Sequence, residues 1–374
     1  MTQQARLRPE GLVRGWNMGR INVLWCWIDV PWISKYFPPD QVNLKIVSMK
    51  GAIPSEEELA ELAADAHVIV VRRYFQITRL VIRAARQLRL IQRLGRAVEN
   101  IDLAAAREAG VPVAAFPMAL DMAVAEHAFM FILALSRMVI RSHQAVVTGE
   151  YEQRGLTPTV TTERTGLAEC WIPLPIDAVY NKTLGIIGMG EIGIALAERA
   201  RAFGMRILYY KRRRLTDTEE KRLGIVFTPF DELLREADFV SLHVPHTSET
   251  EKMLGERELR LMKRTAYLIN VSRGGVIEET ALYEALRNKV IAGAGLDVFR
   301  REPVPKESPL LSLDNVICTP HSAAIYPMGS NIFNDVQRTS ENVLSVMSGR
   351  GLIHGRLVGV SSSVECALPG GVEA

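Results

Sequence analysis

The chain has 374 residues and a formal net charge of +3, with 48% hydrophobic and 23% charged residues. That length suits two domains, and the balance is that of a globular chain too weakly basic to argue for a nucleic-acid partner. The cysteines Cys26, Cys170, Cys318 and Cys366 are scattered, without a C-x-x-C and with no histidine at ligand spacing, which argues against a zinc site and a disulfide framework and fits a reducing cytoplasm.

Residues 1–20 are polar and read as a loose arm, without the basic-then-apolar pattern of a leader. No apolar run reads as long enough to span a bilayer, so a cytoplasmic chain with no membrane partner is expected. Buried strands are predicted over 21–30, 44–49 and 67–71, with a helix over 55–66. Further strands follow over 88–94 and 112–116, around a helix over 103–109. Strands alternating with helices make a parallel α/β unit of flavodoxin type, here without a phosphate loop. Residues 123–140 (AVAEHAFMFILALSRMVI) are helical in pattern and apolar nearly all round, so this helix must be buried between domains or against another subunit. In 141–181, Trp171, Pro173 and Pro175 break any period; the stretch reads as a long connection, either an interface loop or a surface excursion.

A second α/β unit starts at Thr183. Its strands are predicted over 184–187, 206–210, 225–227, 239–244, 266–271, 291–296 and 316–319, and its helices over 194–203, 231–236, 256–262 and 280–288. The first strand leads into Gly188-Met189-Gly190-Glu191-Ile192-Gly193, a G-x-G-x-x-G turn. Gly188 lets the chain turn sharply, Gly190 lets backbone N–H groups approach a pyrophosphate, and Gly193 lets the helix pack on the strand. The second strand of such a unit usually ends in an acid that binds the ribose hydroxyls of NAD; here it runs into Lys211-Arg212-Arg213-Arg214. Guanidinium groups suit a 2′-phosphate, so NADP(H) is preferred and NAD(H) possible, the alternative being a solvated charged loop. A helix over 329–347 should return to the first unit, and the tail from Gly355 is small and polar.

Three segments follow predicted strands of the second unit: NVSRGG (270–275), GLDVFRREP (295–303) and TPHSAA (319–324). Open α/β sheets bind ligands beyond such strand ends. At this point LIQRLGRAVENIDLAAAREAGVPV, AVAEHAFMFILALSR, TLGIIGMGEIG, DFVSLHVPHTSET, VSRGGVIEETAL, GAGLDVFRREP and NVICTPH stand in the order of one family. Over 67–347 the chain resembles the D-isomer-specific 2-hydroxyacid dehydrogenases.

The resemblance implies an α/β fold of two doubly wound parallel-sheet domains with an active-site cleft between them. A flavodoxin-like substrate domain would take 1–121, completed by 323–374, and a Rossmann NAD(P) domain would take 122–322, in a homodimer. It implies hydride transfer between NAD(P)H and a small 2-oxo acid, giving a D-2-hydroxy acid, with no metal. It places a catalytic Arg, Glu and His on Arg273, Glu302 and His321. Independently of the family, a histidine can supply the carbonyl proton, Glu302 can orient the imidazole and favour its protonated form, and Arg273 can bind the substrate carboxylate. Asp297 is the nearest rival to Glu302, and otherwise serves structure or the cofactor.

The cofactor residues implied are Gly188, Met189, Gly190, Glu191, Ile192, Gly193, Lys211, Arg212, Arg213, His243, Val244, Pro245, Thr250, Val271, Ser272, Asp297 and His321. His243 and His246 fall where the family's loop flanks the cofactor, so neither is expected to be catalytic. For the substrate, the loop Arg96, Ala97 and Val98 would offer backbone N–H groups beside Tyr74 and Arg273. Arg72, Arg73 or Arg96 would serve a second acidic group or be surface charge. The chain departs from the family's pattern at Ala97, where Gly is common, and at 118–121 (MALD), where many relatives carry Gly-Ala-Asn. Glu302 disfavours formate dehydrogenase, which has Gln there. Alternatives within the resemblance are a cofactor-sensing transcriptional co-repressor and a phosphoglycerate or phosphonate dehydrogenase.

Overall fold

Short apolar runs such as Val68–Val71 are buried at every residue, which suits strands covered on both faces. In the computed structural model, which describes residues 19–27, 29, 32–49, 51–160, 171–324 and 331–358, these runs form two parallel sheets in two units, 1–120 with 326–374 and 121–325.

The first unit begins β1 (Ile21–Trp27), β2 (Val42–Ser48), α1 (Glu56–Ala63), β3 (Val68–Val71), α2 (Arg79–Ala84), β4 (Leu90–Leu94), α3 (Leu103–Glu108) and β5 (Val113–Phe116). Ser55 and Glu58 form a reciprocal capping box that starts α1, so the helix begins after Ser55 rather than at it.

The second unit contains α4 (Ala119–Ser136), of which 121–136 lies within the unit, α5 (Val139–Val147), β6 (Thr183–Ile187), α6 (Glu191–Ala202), β7 (Arg206–Tyr210), α7 (Asp217–Leu223), β8 (Val226–Phe227), α8 (Phe230–Glu236), β9 (Phe239–Leu242), α9 (Glu256–Leu261), β10 (Tyr267–Asn270), α10 (Glu279–Arg287), β11 (Gly293–Leu296) and β12 (Val316–Cys318). Its sheet order is β12-β11-β10-β9-β6-β7-β8, every pair parallel. Order therefore reverses between β6 and β9, the switch point where such sheets bind ligands. Neighbouring strand residues serve opposite faces: Ile186 packs with Ala125, Phe131 and Leu196, whereas Ile187 packs with Leu233, Leu259 and Leu286.

The chain returns to the first unit through α11 (Asn331–Met347) and β13 (Arg356–Val358). The first sheet is then ordered β13-β5-β4-β3-β1-β2.

Several expectations are corrected. The 356–358 stretch, read as part of the polar tail, is an edge strand antiparallel to β5; residues 359–374 of that tail lie outside the described residues, as do 1–18 of the arm, 161–170 of the long connection and the first two residues of the returning helix. The apolar helix starts earlier and ends sooner than predicted, because Met138 takes a left-handed φ of +46° and redirects the chain into α5, a helix inside the stretch read as connection. By length and composition α4 does qualify as a possible membrane span, contrary to the sequence reading, but half of that window is buried in the protein. Helices α2 and α7 were not foreseen: α2 is a single short turn-and-a-half, and α7 (DTEEKRL) has too little apolar periodicity to signal itself.

Candidate active site

The glycine turn after β6 lies at the switch point. Gly188 has φ +98°, and a Cβ there would stand 2.5 Å from the His243 carbonyl oxygen beyond β9, so the two strand ends touch backbone to backbone. A Cβ on Gly193 would meet the Gly188 oxygen at 2.6 Å, while at Gly190 it would meet nothing within 4 Å. Helix α6 starts at Glu191, inside the motif, with Gly190 as an N-cap that has no side-chain capping bond. Open space at Gly190, at the positive end of a 12-residue helix, suits the pyrophosphate of a nicotinamide dinucleotide. Met189 and Glu191 are buried and Ile192 is half-buried beside this turn.

Beyond β7 the basic run divides. Arg214 is held by Glu220 through two bonds of 2.8 and 2.7 Å and reaches Asp217 at 3.2 Å. Arg212 pairs with Glu249 on the surface. Among the described residues, Lys211 and Arg213 make no ion pair, and no acid ends the strand itself.

At the end of β9, Ser241 Oγ lies 2.8 Å from Nε2 of His243, the next residue beyond the strand, and His243 Nδ1 is buried without a hydrogen-bond partner. Burial pushes this imidazole down to about 3, so it is neutral and unsuited to proton donation. Val244 is half-buried and Pro245 exposed. The Thr250 hydroxyl donates to the Pro245 carbonyl at 2.6 Å and accepts the Thr247 amide at 2.8 Å, closing the loop on itself. His246 is bonded to Glu251.

Beyond β10, Asn270 shapes the arginine loop. Its Oδ1 accepts Ser272 N at 3.0 Å and Ser272 Oγ at 2.8 Å, and its Nδ2 donates to the Arg273 carbonyl at 3.0 Å. Val271 and Ser272 are buried. A Cβ at Gly274 would fall 1.9 Å from the Phe299 carbonyl carbon, so this loop lies directly on the turn that carries Glu302.

Beyond β11 the two acids separate by environment. Glu302 Oε1 accepts the Phe299 amide at 2.9 Å, and its Oε2 lies 2.6 Å from His321 Nδ1. Burial pushes the Glu302 carboxyl up, but the bonds from His321 and the Phe299 amide, with the charge of Arg273, hold it below its usual range. Asp297 is fully buried and turned inward: its Oδ1 accepts Thr319 Oγ1 at 2.5 Å and Ser322 N at 2.8 Å, and its Oδ2 accepts Ala323 N at 2.9 Å. His321, beyond β12, stands at φ +54°, and its amide donates to the Asp297 carbonyl at 2.8 Å.

Sequence reasoning missed His127 of α4, whose Nε2 lies 2.9 Å from Thr319 Oγ1. Since that hydroxyl donates to Asp297, His127 donates to it in turn. Burial lowers the His127 imidazole, partly countered by Asp297. A lone histidine in a largely apolar helix is the available signal.

Arg273, Glu302 and His321 thus stand beyond three consecutive strands of one sheet, with Glu302 and His321 in direct contact. Tyr74, Arg96, Ala97 and Val98 belong to the first unit, beyond its adjacent strands β3 and β4. Buried Asn100 ties those two loops together, donating to the carbonyls of Arg72 at 3.1 Å and Phe75 at 2.7 Å. Arg72 is buried against Trp27 and so is not surface charge; Arg73 is exposed over the Tyr74 ring.

Comparison with known proteins identifies the family. Residues 129–323 match the family model described as D-isomer specific 2-hydroxyacid dehydrogenase, NAD binding domain. The chain is 42% identical over 275 residues to a glyoxylate reductase of Korarchaeum cryptofilum, covering 73% of this chain and 78% of that one. Among solved structures it resembles a D-lactate dehydrogenase from Aquifex aeolicus complexed with NAD and lactic acid, at 30% identity and TM-score 0.50 over 88% of this chain and 96% of that one. It also resembles an acyclic imino acid reductase in complex with NADPH and D-Arg, at 26% identity and TM-score 0.52 over 88% and 98%. The family match and the named relatives favour redox catalysis over a purely cofactor-sensing role. The chain belongs to the D-isomer-specific 2-hydroxyacid dehydrogenases, nicotinamide-dependent oxidoreductases that interconvert 2-oxo acids and 2-hydroxy acids.

Proposed function

We propose that this protein reduces a small 2-oxo acid of the glyoxylate type and draws on NADPH in preference to NADH. The observation that carries the catalytic part is the 2.6 Å bond between His321 Nδ1 beyond β12 and Glu302 beyond β11, the strand next to β10, which leads to Arg273. The bound cofactor supplies the hydride. With Nδ1 held by Glu302, His321 presents Nε2 as the atom that gives a proton to the carbonyl oxygen and takes it back in the reverse direction. Glu302 fixes the orientation of the ring. Arg273 binds the substrate carboxylate and polarises the carbonyl. The backbone amides of Arg96, Ala97 and Val98 and the Tyr74 side chain are the contacts we assign to the substrate domain, and 122–322 is assigned to the cofactor.

The cofactor residues of this reading are the glycine turn, Lys211, Arg212 and Arg213 after β7, and His243, Val244, Pro245, Thr250, Val271, Ser272, Asp297 and His321. The preference for NADPH rests on the absence of an acid at the end of β7 and on the cations that follow it. A homodimer is supported by exposed apolar side chains on neighbouring helices: Met130 of α4, and Val139, Ile140, Val146 and Val147 of α5. Sedimentation of the purified protein tests it, and a monomer at micromolar concentration counts against it.

The functional test is oxidation of NADPH and of NADH across a panel running from glyoxylate and hydroxypyruvate to bulky aromatic 2-oxo acids. NADPH with glyoxylate is expected to show the higher kcat/KM. Equal use of the two cofactors would remove the NADPH preference, and faster turnover of the aromatic acids would remove the small-substrate assignment.

A further inference from the structure

The four basic residues after β7 differ in how the loop that carries them is fastened. At its near end, the Tyr210 carbonyl accepts the amide of Gly188 at 2.9 Å, so the loop leaves the strand from the glycine turn itself. At its far end, the Leu215 amide donates to the Tyr209 hydroxyl at 3.0 Å. Tyr209 is a fully buried residue of β7, and its hydroxyl donates to Glu220 Oε1 of α7 at 2.6 Å. The same carboxylate takes the fork of Arg214, which also lies over the Phe227 ring at 5.6 Å. Tyr209 meets that ring edge-on at 5.6 Å. Helix α7 is itself fixed by a capping box between Thr216 and Glu219. The result is a short arch, Lys211–Arg213, held at both feet, while the exposed Arg214 is tied back to the buried Glu220.

We propose that Tyr209, Glu220 and Arg214 are positioning residues for cofactor selectivity: they form a strut that presents Lys211, Arg212 and Arg213 to the 2′-phosphate of NADPH beside the glycine turn. This rests on the NADPH preference argued above and adds the residues that make it possible without touching the phosphate. A loop of three long cationic side chains loses much conformational freedom when it closes on an anion, and a loop already fastened at both ends loses less. Because NADH lacks the phosphate, its affinity does not draw on the arch.

The test is direct binding, without oxo acid, of NADPH and of NADH to the purified protein and to Tyr209→Phe and Glu220→Gln, followed by protein fluorescence. Tyr209→Phe keeps the ring contact with Phe227 and removes only the hydroxyl, so it remains informative if Glu220→Gln does not fold. The expected result is that the NADPH Kd rises about five- to twentyfold in each folded variant while the NADH Kd stays within about twofold. Equal weakening of both cofactors, or no change in either, overturns the strut. Lys211→Ala with Arg213→Ala separates this from the underlying reading. If that pair weakens NADPH selectively and Tyr209→Phe does not, the strut alone is wrong; if the pair affects both cofactors alike, the phosphate site is wrong and the strut falls with it.

Discussion

Replacing Asp297 by Asn asks whether one buried carboxylate holds the segment that carries His321. Asp297 is fully buried and receives the Thr319 hydroxyl, Ser322 N and Ala323 N at 2.5 to 2.9 Å and the Ser322 hydroxyl at 3.4 Å. An amide of the same shape has only one oxygen, so in either orientation its NH2 group faces a backbone N–H. Leaving that N–H unpaired costs about 1–3 kcal/mol, and making the two remaining bonds neutral removes roughly half to one kcal/mol from each. The sum is about 2–5 kcal/mol, placed on a segment in which His321 already stands at φ +54°, a conformation that costs a non-glycine residue about 1–2 kcal/mol. Urea unfolding should show that loss. Glyoxylate reduction should fall about ten- to a hundredfold in kcat, since small misplacements of a reacting group have effects of that size, while the NADPH Kd is unchanged. Stability within about 0.5 kcal/mol of the parent, with kcat intact, would refute the argument that Asp297 holds the loop.

His321→Gln should remove most turnover and leave NADPH binding by fluorescence close to the parent; a folded variant that no longer binds cofactor would contradict the proton-transfer role. Gly188→Ala should abolish dinucleotide binding or unfold the second unit, because its Cβ would press on the His243 carbonyl at a φ of +98°; a stable variant with unchanged Kd would show that the turn has room. Glu220, whose carboxyl is lowered from 4.5 to about 2 chiefly by the bond from Arg214, should contribute stability that is present above about pH 4.5 and is lost as pH falls toward 2. The difference in unfolding midpoint between the parent and Glu220→Gln should therefore shrink on acidification, and a difference independent of pH would count against the ion pair as its source.

Much of the fold was legible because the signals are local. Buried runs of β-branched and aliphatic residues mark the strands, and G-x-G-x-x-G marks a turn that only glycine can make between β6 and α6. The boundaries shifted by a residue or two where capping decides them, as at Ser55. The break at Met138 carries no proline or glycine to announce it, and the edge strand β13 is too short to show a period. At the candidate site, the types and order of Arg273, Glu302 and His321 could be read from the chain, whereas the roles of its neighbours could not. Arg214 and Arg213 are adjacent and alike in sequence, yet one is held by Glu220 and the other makes no ion pair among the described residues. Asp297 and Glu302 are both acids after β11, yet one is fully buried among backbone donors and the other meets a histidine 19 positions further along the chain.

By itself the sequence determined the fold class, the family and the kind of reaction, since these depend on hydrophobic period, turn chemistry and the order of motifs, all of which are written along the chain. The tertiary structure decided which acid faces His321, that His127 supports Thr319, and that Tyr209 and Glu220 fasten the basic arch. Those are contacts between residues on different strands and helices, and no local pattern specifies them, because they arise only when the strand ends are brought side by side.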